Sequence, residues 1–344
     1  MTAPATGGRS TSTTQTERLA TWLAARLGVE GVAVEGLRRL AGGASRELWA
    51  FDVVRPDGTR ERLVLRRDPP GHHVQSSRRD EFALLRAAAD AGLPVPRVRW
   101  CEDDATVLDA PFFVMDLVAG ETLARRLLRD AEYAPARSAL PAQLADALAR
   151  IHRIDPALPG LEFLPRPAAG ESPAAAELAR YDQIYRAIAP DPHPALELAF
   201  RWLAPRLPPP RPPAVVHGDY RIGNVIFGPE GLRAVLDWEL AHVGDPLEDL
   251  GWLCVRSWRF GGELPVGGLC ERDELFAAYE RSARAPVDRA AVRWWEVFGN
   301  LKWGIICIMQ ARTFLDRAVD SIELASLGRR VAEMELELLE LTEG

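Results

Sequence analysis

A chain of 344 residues, 47% hydrophobic and 26% charged, holds enough apolar material for two lobes, which excludes a disordered or collagen-like polymer. A net charge of -7 argues against a nucleic-acid partner, because phosphate contacts need a concentrated basic surface. No apolar run reaches the roughly 20 residues of a membrane span, the polar start has no signal core, and Cys101, Cys254, Cys270 and Cys307 form no C-x-x-C pair; a cytoplasmic protein with reduced thiols and no membrane partner is expected.

Residues 1–16, rich in Thr, Ser and Gly, read as a disordered tail. Leu19, Trp22, Leu23 and Leu27 then recur at helical spacing, predicting an amphipathic helix over 17–27. Leu48–Val54 and Leu63–Leu65 read as strands joined at the turn Arg55-Pro56-Asp57-Gly58. Arg79–Ala91 predicts a helix stopped by Gly92 and Pro94. Val95–Trp100 and Pro111–Leu117 complete a small sheet of about five strands. Beyond Gly120 the pattern is mostly helical, with Pro141–Ile154, Ala174–Ile188, Ala291–Ala311 and Ile322–Leu341 as helices. Ala214–Val216, Val225–Phe227 and Ala234–Leu236 are short buried strands within that helical part.

Between those short strands lies the most polar, sharply turned stretch, Val216-His217-Gly218-Asp219-Tyr220-Arg221-Ile222-Gly223-Asn224, followed by Leu236-Asp237-Trp238-Glu239. Polar groups between buried strands need partners, a metal or a substrate. Two carboxylates and an Asn carbonyl make a hard-oxygen set suited to Mg²⁺ beside phosphates. His217-Gly218-Asp219, then Asn224, then a strand ending in Asp237 resembles the catalytic and metal loops of the aminoglycoside phosphotransferase family, whose fold is similar to that of protein kinases. The fuller form, with Gly244-Asp245-Pro246 downstream, resembles the subgroup related to kinase domains fused to acyl-CoA dehydrogenases.

The resemblance covers about Leu37 to Ala311 and implies an α+β, protein-kinase-like two-lobe fold. Residues 17–117 would form an N-lobe of antiparallel sheet with one inserted helix, and 118–344 a larger, mostly helical C-lobe. It implies an ATP- and Mg²⁺-dependent phosphotransferase, GTP being an alternative donor, acting on the hydroxyl of a small molecule of hydroxyacyl or aminoglycoside type. Asp219 would be the catalytic base, with Asn224 and Asp237 holding the metal and His217 supporting the loop. Gly42, Gly43 and Ser45 would form the nucleotide loop, and the backbone near Met115 and Leu117 would meet the purine. Where the family carries a strand lysine, this chain has Arg66-Arg67; Arg66 is the first candidate to grip phosphate and pair with Glu81, and Arg67 the reserve. The missing lysine keeps a catalytically inactive, nucleotide-binding pseudokinase open as an alternative.

Asp245 and Asp249 read as braces of the catalytic loop. Trp252, Trp258, Trp294, Trp295 and Trp303, with Phe260 and Phe298, would line an aromatic acceptor pocket if they converge. Lys302, the one lysine among 42 basic residues, is expected either to meet a substrate anion or to reach solvent.

Overall fold

The computed structural model describes residues 8–40, 47–67, 77–188 and 191–343. They divide into two compact units, one running up to Asp90 together with Val95–Ala119, the other comprising Ala91–Pro94 and the chain from Gly120 onward.

The first unit is built on alternation. Strands β1 (Ala33–Arg39), β2 (Glu47–Val54), β3 (Arg60–Arg67), β4 (Val98–Glu102) and β5 (Phe112–Asp116) form one antiparallel sheet in the order β1-β2-β3-β5-β4. Leu63 and Leu65 of β3 join Phe51, Val53, Phe112 and Val114 against Leu19, Trp22 and Leu23 of helix α1 (Gly8–Leu27). The intervening residues of β3 face the other way, the side on which Phe82 of α2 (Arg78–Asp90) meets Phe113 edge-on at 6.2 Å. The β2–β3 turn closes as its residues require: Gly58 adopts φ 84°, and the Asp57 carboxylate accepts from the Thr59 amide at 2.8 Å. A single helical turn, α3 (Ala105–Leu108), capped by Asp104, joins β4 to β5.

Helix α1 starts at Gly8, not near Glu17, so residues 8–16 are helical rather than tail. Ser and Thr are weak helix formers, but once the apolar turn at Leu19 to Leu23 docks, extending the helix costs little per residue.

In the second unit, helices α4 (Ala124–Arg129), α5 (Ala134–Ile151), α6 (Pro173–Ile188) and α7 (Pro194–Leu203) precede two small strand pairs. Strand β6 (Ala214–Val216) pairs with β9 (His242–Gly244), and β7 (Val225–Gly228) with β8 (Gly231–Val235). Helices α8 (Leu247–Cys254), α9 (Arg272–Ala283), α10 (Arg289–Leu315), α11 (Ile322–Leu327) and α12 (Val331–Thr342) follow. The 27-residue α10 is buried over most of its length from Ala291 to Ile308 and packs against α6, α7, α8, α11 and α12. Pro141 lies inside α5 rather than opening it; burial of Leu140, Leu144 and Leu148 offsets the backbone bond that proline cannot make. The helix expected over Ile322–Leu341 is broken by a 3₁₀ turn at Gly328–Arg330. There a side chain on Gly328 would lie 2.9 Å from the Ala311 methyl, so glycine permits the close approach to α10. Among the described residues no helix is long and apolar enough to cross a membrane.

Candidate active site

Strand β6 delivers the chain into a turn that only glycine can make. Gly218 has φ 78°, and a Cβ there would sit 2.3 Å from the Leu240 carbonyl oxygen. The turn is held by Asp249 from the first turn of α8, whose carboxylate accepts from the amides of His217 at 2.8 Å and Gly218 at 2.9 Å. Asp249 is fully buried, and its Oδ2 also meets His152 Nε2 at 3.1 Å, with Tyr279 on the other side of that ring. Burial opposes its charge, but the His152 ring and the His217 amide together hold its carboxyl below the usual carboxylate range. Asp245 caps the start of α8 through the Leu247 amide and accepts from Trp295 Nε1 at 3.1 Å. Asp249 therefore braces the loop directly, whereas Asp245 fixes the start of the helix that carries Asp249.

His217 is wholly buried, and its partners define its tautomer. Nε2 faces the Leu236 carbonyl at 3.0 Å and must donate; Nδ1 faces the Asp219 amide at 3.2 Å and must accept. Burial lowers its pKa against the pull of Asp249, Asp219 and Asp237, keeping the ring neutral. One imidazole thus links the two segments that carry the acids.

The Asp219 carboxylate is held on both oxygens. Oδ1 accepts from Trp252 Nε1 at 2.9 Å and Arg221 Nε at 3.0 Å; Oδ2 accepts from Asn224 Nδ2 at 2.6 Å. Asn224 closes the 3₁₀ turn Ile222–Asn224, and its own carbonyl accepts from the Leu236 amide at 2.8 Å, which sets Asp237 beside it. Asp237 adopts φ 64°, the left-handed region that non-glycine residues enter only when their surroundings impose it. Asp219 and Asn224 are thus in direct contact, and Asp237 follows the residue bonded to Asn224. The donor chemistry fits Mg²⁺: the Asn224 amide group turns its nitrogen to Asp219, so its oxygen points away, and Asp237 adds a carboxylate.

In the first unit, Arg66 meets Glu81 of α2 at 2.8 Å, and Arg78 pairs with the same carboxylate. Glu81 is buried. Arg67 points to the opposite face, to Glu47 at 2.7 Å and the Leu108 carbonyl at 2.8 Å. The alternation of β3 therefore selects Arg66 over Arg67 as the partner of Glu81. Met115 is buried opposite Val64, and the Leu117 amide donates to the Arg62 carbonyl at 3.1 Å, so that amide is not available to a purine. Gly42, Gly43 and Ser45 lie outside the described residues.

The tryptophans divide rather than converge. Trp252, Trp258 and Trp303 form one chain, with ring centroids 5.2 and 4.8 Å apart, Phe260 packed against it and Arg221 4.6 Å above Trp258. Trp294 and Trp295 pack instead with Phe298 in the core around α10. Lys302 neither reaches solvent nor awaits a substrate: its side chain is 2% exposed and pairs with Glu248 at 3.0 Å. The roles of Trp252 and Arg221 at Asp219 were not foreseen; for Lys302 the available signal was its solitary occurrence.

A model of the phosphotransferase enzyme family, APH, matches residues 36–295. Mouse acyl-CoA dehydrogenase family member 10 is 32% identical over 204 residues, which are 56% of this chain and 18% of that protein. Chicken acyl-CoA dehydrogenase family member 11 is 36% identical over 198 residues, 55% of this chain and 24% of that one. The chain thus spans about a quarter or less of the length of these relatives. Among solved structures, a candidate aminoglycoside phosphotransferase of Ralstonia eutropha superposes with a TM-score of 0.76 at 24% identity, covering 95% of this chain and 98% of that one. The aminoglycoside phosphotransferase APH(4)-Ia, in complex with ADP and hygromycin B, superposes with a TM-score of 0.63 at 17% identity, covering 95% and 99%. The architecture is thus the kinase-like one: an antiparallel five-stranded sheet with an inserted helix, followed by a mostly helical part.

Proposed function

The chain belongs to the phosphotransferase enzyme family, and from that premise we propose that it moves the γ-phosphate of ATP, with Mg²⁺, to the hydroxyl of a small acyl-bearing molecule. The observation that carries this reading is the contact of Asp219 with Asn224 at 2.6 Å, with Asp237 tied beside Asn224 through the Leu236 amide. Phosphoryl transfer asks a protein mainly to position reactants and neutralise charge. Asp219 would orient the acceptor hydroxyl and take its proton at Oδ2 or Oδ1, while Trp252, Arg221 and Asn224 keep the carboxylate in one rotamer. Asn224 and Asp237 would hold Mg²⁺, which when bound neutralises charge on the transferring phosphates. Arg66, steadied by Glu81, would grip phosphate oxygens bidentately. The ADP in the related APH(4)-Ia complex supports an adenine nucleotide; GTP is the competitor.

For the acceptor, the surroundings of Asp219 favour an acyl group over a polycationic sugar. The side chains on its carboxylate are a guanidinium, an indole and an amide, from Arg221, Trp252 and Asn224, and the Trp252 ring continues into Trp258 and Trp303, where an aminoglycoside would want carboxylates. The acyl-CoA dehydrogenase names of the sequence relatives agree with that preference. The four free cysteines suit a reducing compartment such as the cytoplasm.

The test is ADP release from ATP and Mg²⁺ with hydroxyacyl-coenzyme A thioesters and kanamycin-type sugars as acceptors, with product mass read for one added phosphate. Asp219→Asn is expected to lower kcat by about 10²- to 10⁴-fold while the melting temperature stays near wild type. Full turnover in that variant, or nucleotide binding without transfer to any acceptor by the wild type, would overturn the proposal.

A further inference from the structure

Lys302 on α10 stands inside a cluster of buried charge that the reaction as outlined does not use. Its ammonium donates to Glu248 Oε1 at 3.0 Å and to the Gly218 carbonyl at 3.1 Å, and lies 4.8 Å from the centre of the Trp252 ring and 5.7 Å from that of Tyr181. The second oxygen of Glu248 meets His242 Nε2 at 3.0 Å, and His242 Nδ1 faces the Leu240 carbonyl at 3.0 Å. Both ring nitrogens face acceptors, so the ring is an imidazolium; Glu248 and its hydrogen bond hold the His242 pKa up at about 9 although burial alone would lower it.

Glu177, His242 and Glu248 offer ligand atoms within 4.8 Å of one another, the spacing of a metal centre. The protein supplies cationic partners to both carboxylates: Lys302 and His242 meet Glu248, and Arg180 pairs with Glu177 at 3.1 Å. Every other basic residue of Lys or Arg type in the chain is arginine. A compact ammonium has three donors that can divide between a carbonyl and a carboxylate while aromatic faces cover the rest; the fixed planar fork of a guanidinium does not distribute its donors in that way.

The two contacts lead to the same carboxylate. The peptide that joins Gly218 to Asp219 is gripped at both polar ends, its carbonyl by Lys302 Nζ and its amide by His217 Nδ1. The Trp252 ring beneath the ammonium donates its N–H to Asp219 Oδ1. We propose that Lys302 is a positioning residue for phosphoryl transfer, fixing the Gly218–Asp219 peptide and the Trp252 ring so that the Asp219 carboxylate is aimed at the acceptor hydroxyl. The inference rests on the reading of Asp219 as the base. It also accounts for a lysine surviving in a chain otherwise given over to arginine.

The experiment compares Lys302→Arg, the double variant Lys302→Met with Glu248→Gln, and Asp219→Asn, using ATP, Mg²⁺ and a 3-hydroxyacyl-coenzyme A or kanamycin as acceptor, or water if neither is phosphorylated. The double variant removes the ammonium together with the carboxylate it pairs with, so that Glu248 is not left as an unpaired buried charge, while Glu177 and His242 remain. It is expected to fold, melting below wild type because His242 loses its carboxylate partner, to keep the KM for ATP, and to lose about tenfold to a hundredfold in kcat, the size of effect that an ångström of misplacement produces. Lys302→Arg keeps the charge and is expected not to restore kcat. A folded double variant with wild-type kcat, beside an inactive Asp219→Asn, overturns the role of Lys302 and leaves the base assignment standing. An active Asp219→Asn removes the base assignment itself. Should the double variant not fold, a folded Lys302→Arg with wild-type kcat overturns the proposal by itself.

Discussion

The sheet of the first unit and the turn from His217 to Asn224 are held by opposite means. Along β2 and β3 the register runs without a break from Glu47 opposite Arg67 to Val54 opposite Arg60, and backbone bonds to backbone throughout. At the turn, the amides of His217 and Gly218 go to a side chain of α8, the carbonyl of Gly218 to a side chain of α10, and the amide of Asp219 to an imidazole. A ladder tolerates exchange of the residues that carry it, provided apolar and polar positions still alternate. A turn held by side chains has no such tolerance, because each deletion leaves a buried amide or carbonyl unpaired. The functional residues sit where geometry depends on a few distant side chains rather than on repeating structure.

The largest effect that would test this contrast is Asp249→Ala. The substitution strips two buried amides and the His152 ring of their acceptor. Loss of one partner from a buried charged network costs about 3–5 kcal/mol, and urea denaturation is expected to show a loss of that size. A loss below about 1 kcal/mol, the scale of a surface ion pair, would mean that the turn holds its shape without the side chain.

The same contrast explains what could be read from the sequence. The apolar run Leu63 to Leu65, set off by the turn Arg55-Pro56-Asp57-Gly58, placed the strand and its hairpin, but period two also put Arg66 and Arg67 on opposite faces without saying which face α2 would cover. Asp219, Asn224 and Asp237 were legible because they fall within one short stretch between buried strands. The partners of that stretch were not: Trp252 bonds Asp219 across 33 positions and Lys302 bonds Gly218 across 84, and no local pattern encodes either meeting. Strand β9 escaped notice because three residues with a histidine and a glycine carry no alternation; its pairing with β6 alone defines it. The break between α11 and α12 was hidden because Leu and Glu continue at helical spacing across Gly328, whose role is the close approach to Ala311.

A smaller effect should appear as pH dependence of stability. The His242 pKa stands at about 9 in the folded chain against an ordinary value of 6.5. Its stabilising contribution is therefore fully present below 6.5 and is lost as pH rises through about 9, with a ceiling of about 3 kcal/mol. His217 acts with the opposite sign: its lowered pKa keeps it neutral when folded, so its contribution is lost as pH falls below the ordinary histidine range. Denaturation midpoints at pH 6 and pH 9.5 should fall further for the wild type than for His242→Gln. Equal falls would show that the Glu248–His242 pair adds nothing to the second unit.

The smallest effect belongs to the sheet. Arg62 on β3 is exposed and sits opposite Asp52, with its guanidinium 3.9 Å from the carboxylate, while its backbone carbonyl accepts from the Leu117 amide. Arg62→Thr removes a solvent-screened ion pair and installs a β-branched residue suited to a strand, leaving the backbone bonds in place. The two changes oppose each other, and urea denaturation should give a difference within about 0.5 kcal/mol. The carbonyl of Gly218 is served by a buried ammonium, so it has no equivalent protection, whereas the carbonyl of Arg62 belongs to the ladder whatever its side chain. A loss above about 1 kcal/mol for Arg62→Thr would erase that distinction, because strand side chains would then matter to the backbone as much as those that hold the turn.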